Sequence, residues 1–168
     1  MSILSFAKKQ FIDILQWTEG GDDVLAWRFP TADFEIQQGG QLIVRETQTA
    51  LFVDGGHVAD LFGPGTYTIH TQNLPILTRL LSLPWGFQSP FRAEVYFVNL
   101  KVFTNMRWGT RDPVAFKDNQ LGLIRLRAFG SFTMRVTQPL LFVNSLVGTQ
   151  GSYTTDQIED YLREVIVA

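Results

Sequence analysis

The sequence contains no cysteine, and this absence excludes several kinds of chemistry. Without a thiol, the chain of 168 residues cannot form a disulfide, build a thiolate zinc site, use a cysteine nucleophile or carry a palmitoyl anchor. Histidine is nearly as scarce, because only His57 and His70 are present, and a histidine-rich metal site is excluded as well. We therefore predict no metal site and no cofactor.

A strong charge of one sign is also lacking. The 14 basic and 16 acidic residues give a net charge of −2, which creates no broad attraction to nucleic acid or anionic lipid. Arg125, Arg127 and Arg135 share one face of a predicted strand with Phe129, a pattern that RNA-binding sheets also show. Because nucleic-acid-binding domains are usually basic, we interpret this face as the outer surface of a sheet and predict no nucleic-acid partner.

Long apolar runs are missing too. Lys8, Lys9 and Asp13 interrupt the apolar residues near the N-terminus, so this segment does not have the pattern of a signal peptide. No stretch approaches the roughly 20 apolar residues that span a bilayer. Ser2 excludes the N-myristoylation motif, which requires glycine at that position. We predict a cytoplasmic protein.

The common catalytic motifs are absent from the sequence. It has no G-x-S-x-G, no H-E-x-x-H, no P-loop and no G-x-G-x-x-G. His57 with Asp54 or Asp60 is the basis of a hydrolase hypothesis, but a turn histidine is the interpretation we favour. Asp22 and Asp23 lie beside glycines and are interpreted as a solvated loop. The sequence thus predicts no catalytic residue and no enzyme.

Aromatic side chains are what the chain has in excess, with 14 Phe, 4 Trp and 4 Tyr. These residues favour strands and interfaces. Residues 42–53, which include Val44, Leu51, Phe52 and Val53, are a candidate for a long strand. Alternating apolar and polar residues predict a half-buried strand over 96–108 and a further long strand over 124–136. The last of these would extend about 43 Å at about 3.3 Å per residue, so we expect it to bend at Gly130. The two glycines after Asp54 predict a hairpin with a return strand over 57–62.

The N-terminal segment shows helical spacing. Residues 2–17 predict an amphipathic helix with a wide apolar face. Phe6, Phe11 and Trp17 on this helix are candidates for contact with a membrane or a partner, because aromatic residues suit the headgroup level. The alternative is that the helix covers the sheet or docks on another subunit.

Two helices are predicted in the C-terminal part. Residues 139–147 begin with proline and are followed by Gly148, which predicts a helix with these limits. Thr154 and Gln157 have the spacing of a capping box and predict a last helix. Its apolar stripe supplies the candidate assembly residues, which are Ile158, Tyr161, Leu162 and Val165. Because this helix has no cap at its end, we expect the chain to be part of a longer polypeptide.

Six segments, in this order, resemble the SPFH/Band 7 superfamily, which includes stomatin, prohibitin and flotillin. They are LIVRETQTALFV (42–53), FGPGTYT (62–68), NLPIL (73–77), SPFRAEVYFV (89–98), WGT (108–110) and IRLRAFGSF (124–132). The resemblance as a whole covers residues 41–147, about two thirds of the chain. The resemblance is strongest to a bacterial branch labelled virion core protein-like, a relative of which works beside phage-shock-type membrane stress proteins.

The resemblance implies an α+β fold with a twisted, mainly antiparallel sheet and packed helices. We divide the chain into an N-terminal helix and loop (1–23), an SPFH-like domain (24–150) and the start of a C-terminal helix (151–168). The implied function is a non-enzymatic scaffold that forms homo-oligomers, sits peripherally at the inner membrane and organises partner proteins there, an integral membrane protein among them. Trp85 and Phe87 are further candidates for membrane or partner contact. In the alternative, a small-ligand or lipid-binding module, these residues and Trp108 would line an aromatic groove.

Overall fold

The computed structural model of the chain describes residues 14–18, 21–30, 35–36, 39–54, 57–69, 91–148 and 150–167. Its strands are β1 (Ile14–Gln16), β2 (Val24–Arg28), β3 (Glu35–Ile36), β4 (Gln41–Val44), β5 (Gln48–Asp54), β6 (His57–Phe62), β7 (Gly65–Thr68), β8 (Phe91–Arg92), β9 (Glu94–Asn99), β10 (Phe103–Gly109), β11 (Val114–Asp118), β12 (Gly122–Leu126), β13 (Phe129–Met134) and β14 (Ser152–Thr154). Helix α1 (Pro139–Phe142) continues into a π-helix (Val143–Val147), and helix α2 covers Thr155–Val167. The mainly antiparallel strands and few helices confirm the predicted α+β fold.

A five-stranded antiparallel sheet forms the centre of the domain, with the strand order β14-β2-β9-β5-β6. Strand β9 lies in the middle, and its residues from Val95 to Asn99 are all buried. Val95 and Phe97 belong to one core cluster, whereas Tyr96 and Val98 belong to the other. The sheet is therefore covered on both faces, and the predicted half-buried strand over 96–108 is wrong in this part. The strand also ends at Asn99, and β10 begins at Phe103.

A smaller sheet contributes to the first core cluster. In it β4 pairs in parallel with β1 and antiparallel with β7. The predicted N-terminal helix is therefore wrong for Ile14–Gln16, which form a strand. The physical reason is that Leu15 and Trp17, two residues apart, both fit into the core, while β4 satisfies the backbone hydrogen bonds of β1. Residues 1–13, with most of the predicted helix, lie outside the described residues.

Two predicted long strands are each broken into two. Residues 42–53 divide between β4 and β5, where the backbone N–H of Gln48 donates to Arg45 O at 2.9 Å and closes a turn. Residues 124–136 divide between β12 and β13, and the break falls at residues 127–128 rather than at Gly130. Gly130 lies inside β13 because the ring of Trp108 on the paired strand covers it, at a position where a side chain would collide with the ring. The hairpin between β5 and β6 is confirmed, with β6 at the predicted residues 57–62.

The second core cluster is completed by the helical segments. The helix predicted over 139–147 is confirmed as α1 and the π-helix, and it ends at Gly148, where φ is 54°. The predicted capping box is confirmed in one of its two bonds, since the backbone N–H of Thr154 donates to Gln157 Oε1 at 2.9 Å. Among the described residues, no helix has the length and apolar character needed to cross a bilayer.

Candidate interaction surface

A hairpin formed by β11 and β12 extends the strand pair β10–β13. We call residues 111–127 the arm. In its register Val114 lies opposite Leu126 and Phe116 lies opposite Ile124. Because cross-strand partners and every second residue share a side of a sheet, these four residues form one face, which we call the apolar face of the arm.

The apolar face of the arm is not covered by the domain that carries it. Val114, Phe116 and Leu126 each leave about half of their side-chain surface exposed, and no arm residue belongs to either core cluster. Other exposed apolar residues are Leu121 in the turn and Leu123, which lies opposite Lys117 on the other face of the arm; each is 75% exposed, and Phe129 at the start of β13 is 86% exposed. Contiguous exposed apolar surface of this kind marks an interaction site in a folded protein.

The opposite face of the arm is basic. Lys117 and Arg125 are exposed there, and Arg111 and Arg127 lie at the base of the hairpin. With its two aspartates, Asp112 and Asp118, the arm carries a net charge of +2, whereas the chain as a whole carries −2. The arm is thus a local positive feature of an acidic chain.

The turn at the end of the arm is held by a carboxylate. Asp118 Oδ1 accepts the backbone N–H groups of Gln120 and Leu121, both at 2.8 Å. These two hydrogen bonds to the charged form lower the pKa of the Asp118 carboxyl. The end of the arm therefore presents a negative charge, the polar side chains of Asn119 and Gln120, and the exposed apolar side chain of Leu121.

Helix α2 offers a second exposed surface, which is acidic. It contains Asp156, Glu159, Asp160 and Glu164 against one basic residue, Arg163. Of the four predicted assembly residues, Ile158 is buried and Leu162 packs against the second core cluster, but Tyr161 is 50% and Val165 is 59% exposed. We call Asp160, Tyr161, Glu164 and Val165 the acidic face of α2. Only half of the predicted stripe is thus available for contact with another molecule.

Helix α2 is attached to the strand from which the arm grows. Glu159 Oε1 accepts the backbone N–H of Arg107 in β10 at 2.9 Å. A cleft of about 520 Å³ opens beside this contact, bordered by charged, polar and apolar residues. Lys101 Nζ lies 3.0 Å from Asp22 Oδ1 at its edge. Within the described ranges, no three His, Asp or Glu side chains are grouped so as to hold a metal ion.

The predicted membrane-contact residues have different outcomes. Trp17 is 2% exposed and its ring stacks on that of Trp27, with 6.0 Å between the ring centroids. It is a core residue here and not a surface contact, because the strand β1 directs it inward. Phe6, Phe11, Trp85 and Phe87 lie outside the described residues, so their roles stay predictions. Trp108, expected in the aromatic groove, lies against Gly130 instead.

The histidine of the hydrolase hypothesis is exposed. His57 begins β6 and pairs with Asp54 next to the hairpin turn, as expected of a turn residue. Asp60, further along the same strand, has a pKa raised by burial. Asp60 lies opposite Phe52 in the register. The next residue of the strand, Leu61, is exposed, as His57 is. This arrangement offers no support for a catalytic pair.

Among the described residues, the pKa of Tyr96 is strongly perturbed, and the cause is structural. Burial and the hydrogen bond to Glu94 raise the pKa of Tyr96 to about 12. Its hydroxyl donates to Glu94 Oε2 at 2.8 Å, and Arg28 Nη1 lies 3.5 Å from the same oxygen. The hydroxyl is also 3.3 Å from Gly148 O, so this group links the central sheet to the end of the π-helix.

We expect the stability of the domain to fall in alkali because of Tyr96. A tyrosine whose folded-state pKa exceeds the unfolded value binds its proton more tightly when folded, so its contribution is complete below pH 10 and is lost towards pH 12. Urea unfolding at about pH 9 and about pH 11.5 should show a larger decrease for wild type than for Tyr96→Phe. Equal decreases for the two proteins would contradict this assignment.

Comparison with known proteins places the chain in a family. The model of the SPFH domain-Band 7 family matches residues 26–168. The chain is 31% identical over 165 residues to the uncharacterized protein YdjI of Bacillus subtilis (strain 168). The alignment covers 97% of this chain and 50% of that protein, so the chain spans about half the length of this relative. No solved structure matches the chain.

Proposed function

Because the chain belongs to the SPFH domain-Band 7 family, we propose that it is a non-enzymatic scaffold domain that organises partner proteins at a membrane surface. Domains of this family are generally non-catalytic scaffolds, which supports the proposal. The observation that carries it is the arm, whose exposed apolar face is left uncovered by the domain's own core. Such a surface suits a protein whose activity is to bind other proteins.

The finer parts of the proposal rest on sequence resemblance. They are membership of the virion core protein-like branch, a role in membrane stress, peripheral attachment to the cytoplasmic side of the inner membrane, and recruitment by an integral membrane partner. Attachment through the N-terminal segment would use Phe6 and Phe11, because aromatic residues favour the headgroup region. Homo-oligomer formation would place many such weak attachments on one particle and so increase its overall affinity for the membrane.

Flotation with vesicles that contain anionic lipid tests the membrane part of the proposal. We expect the wild-type chain to float and the double variant Phe6→Asp/Phe11→Asp to lose at least about tenfold of its bound fraction, since a charge opposes insertion of each ring. A matched control replaces two exposed apolar residues outside both the N-terminal segment and the arm, Leu61→Asp/Val102→Asp, and should float like wild type. A wild-type chain that never floats would contradict direct attachment.

A further inference from the structure

We propose that β13 binds an extended acidic segment of a partner protein, which adds to this strand as a further β-strand. This contact rests on the proposed scaffold function, since it names the chemistry by which the domain would hold a partner. Strand β13 pairs with β10 on one side, and no described strand pairs with its other side, which we call the outer edge. An unpaired edge presents backbone N–H and C=O groups that an incoming strand can satisfy.

The pairing of β13 identifies the backbone groups that the outer edge presents. The backbone N–H of Thr110 donates to Ala128 O at 2.9 Å, so the polar groups of Ala128 point towards the β10 side. Because the direction of these groups alternates along an antiparallel strand, those of Phe129, Ser131 and Thr133 point to the outer edge. The extra residue of the ladder lies in β10, so β13 itself is regular and can accept another strand.

Charge selects the kind of segment that fits the outer edge. Arg127 precedes β13, Arg135 directly follows it, and Arg107 lies opposite Ser131 in β10. All three arginines are exposed, and none forms an ion pair with a described residue. Strands β10 and β13 contain no acidic residue. A segment that carries carboxylates would therefore meet uncompensated positive charge at both ends of the edge.

The same charges oppose pairing between two copies of β13. An antiparallel pair centred on Ser131 would place Arg127 of one copy opposite Arg135 of the other at both ends. Like charges directly opposite each other destabilise a pair of strands, and charged residues are a common protection against edge-to-edge association. The edge is thus closed to its own copy and open to an acidic strand.

The exposed side of β13 supplies the remaining contacts. Phe129, Ser131 and Thr133 have exposed side chains, and every second residue of an added strand would share their side of the sheet. Phe129 is 86% exposed and lies opposite Gly109, which has no side chain to cover the ring. A side chain of the added strand can pack against this ring, and such cross-strand contacts stabilise strand pairs.

Nucleic acid fits this surface less well than a peptide. Arginines around an exposed phenylalanine also occur on RNA-binding sheets, but the net charge of the chain is −2. A phosphate backbone accepts hydrogen bonds from N–H groups and has no donor for the alternating C=O groups of the edge. A peptide backbone supplies both donor and acceptor at the spacing of a strand.

A labelled seven-residue peptide of alternating glutamate and valine tests the proposal by fluorescence anisotropy with the whole chain. We expect the peptide to bind, and the same peptide with lysine in place of glutamate to bind at least about tenfold more weakly. Two further peptides carry N-methyl groups on the glutamates or on the valines. Because only alternate amides of an added strand face β13, one of these should lose at least about tenfold in affinity and the other should bind like the parent peptide.

Two variants of the chain test the same contact from the protein side. Ser131→Pro removes an N–H that does not bond to β10, so the fold should tolerate it, and binding should weaken at least about tenfold. Ser131→Ala keeps this N–H and should lose no more than about threefold. Arg127→Glu/Arg135→Glu should weaken binding at least about tenfold, whereas the matched reversal of two exposed residues elsewhere, Arg45→Glu/Lys117→Glu, should bind like wild type at about 0.15 M salt.

Several outcomes would overturn the proposal. They are a wild-type chain that does not bind the peptide at about 100 μM, and two methylated peptides that bind equally, which would leave only general charge attraction. Tighter binding of single-stranded oligouridine, lost in Arg127→Glu/Arg135→Glu, would assign the surface to nucleic acid. Self-association that is lost in Ser131→Pro, without peptide binding, would assign the edge to a second copy. Flotation judges the membrane scaffold separately, because peptide binding requires no vesicles.

Discussion

Replacement of Phe97 by alanine should lower the free energy of unfolding by about 3–5 kcal/mol. Phe97 is fully buried in β9, the middle strand of the central sheet, and its ring centroid is 6.1 Å from that of Trp27 on the paired strand β2. The loss combines the transfer of the ring's surface into water with the cavity that alanine leaves, since neighbouring strands on both sides restrict collapse. Urea unfolding followed by circular dichroism measures the change.

Phe129→Ala is the matched control for this prediction. The same substitution is made, but Phe129 is almost fully exposed at the start of β13, so its loss should change the free energy of unfolding by no more than about 0.5 kcal/mol. Equal losses in the two variants would contradict the placement of Phe97 in the core and of Phe129 on the surface.

Local signals in the sequence predict part of the fold well. The glycines after Asp54 identify the β5–β6 hairpin, and Thr154 with Gln157 marks the beginning of α2. Both features depend on a few neighbouring residues, whose backbone preferences act in any context. Strand limits are harder, because the turn inside residues 42–53 contains neither glycine nor proline to mark it.

Features that depend on tertiary packing are not visible in the sequence pattern. The middle strand β9 contains Asn99, which is buried although its pattern predicts an outward-facing residue. The same limit applies to the N-terminal segment, where Leu15 and Trp17 fit both a helical and an alternating pattern. The partner strand β4 decides between the two, and it is distant in the sequence.

The arm was not predicted, although its sequence contains a usable signal. Val114 and Phe116, then Ile124 and Leu126, alternate on either side of a short polar turn that is followed by Gly122, which is the pattern of a hairpin. From the sequence alone, such apolar residues would be expected in a core. The sequence does not reveal that this hairpin lies outside both core clusters. The stripe on α2 has the same ambiguity, which the structure resolves by burying Ile158 and exposing Tyr161 and Val165.

Trp17→Ala should lower the free energy of unfolding by about 3–5 kcal/mol without directly weakening attachment to membranes. The ring of Trp17 is buried against Trp27, and both belong to or pack on the first core cluster. The hydrogen bond from Gln48 Nε2 to Trp17 O, at 3.3 Å, involves the backbone and survives the substitution. The loss therefore reports the contacts that the indole side chain makes, and urea unfolding measures it.

Ile14→Ala separates this effect from a general weakening of β1, because Ile14 is in the same strand but about half exposed. It should cost about 1 kcal/mol or less. Flotation of Trp17→Ala, measured where the variant is still folded, should equal that of wild type, since a buried ring does not reach lipid. If Trp17→Ala kept its stability but failed to float, the result would contradict burial of Trp17 and support it as a membrane-contact residue beside Phe6 and Phe11.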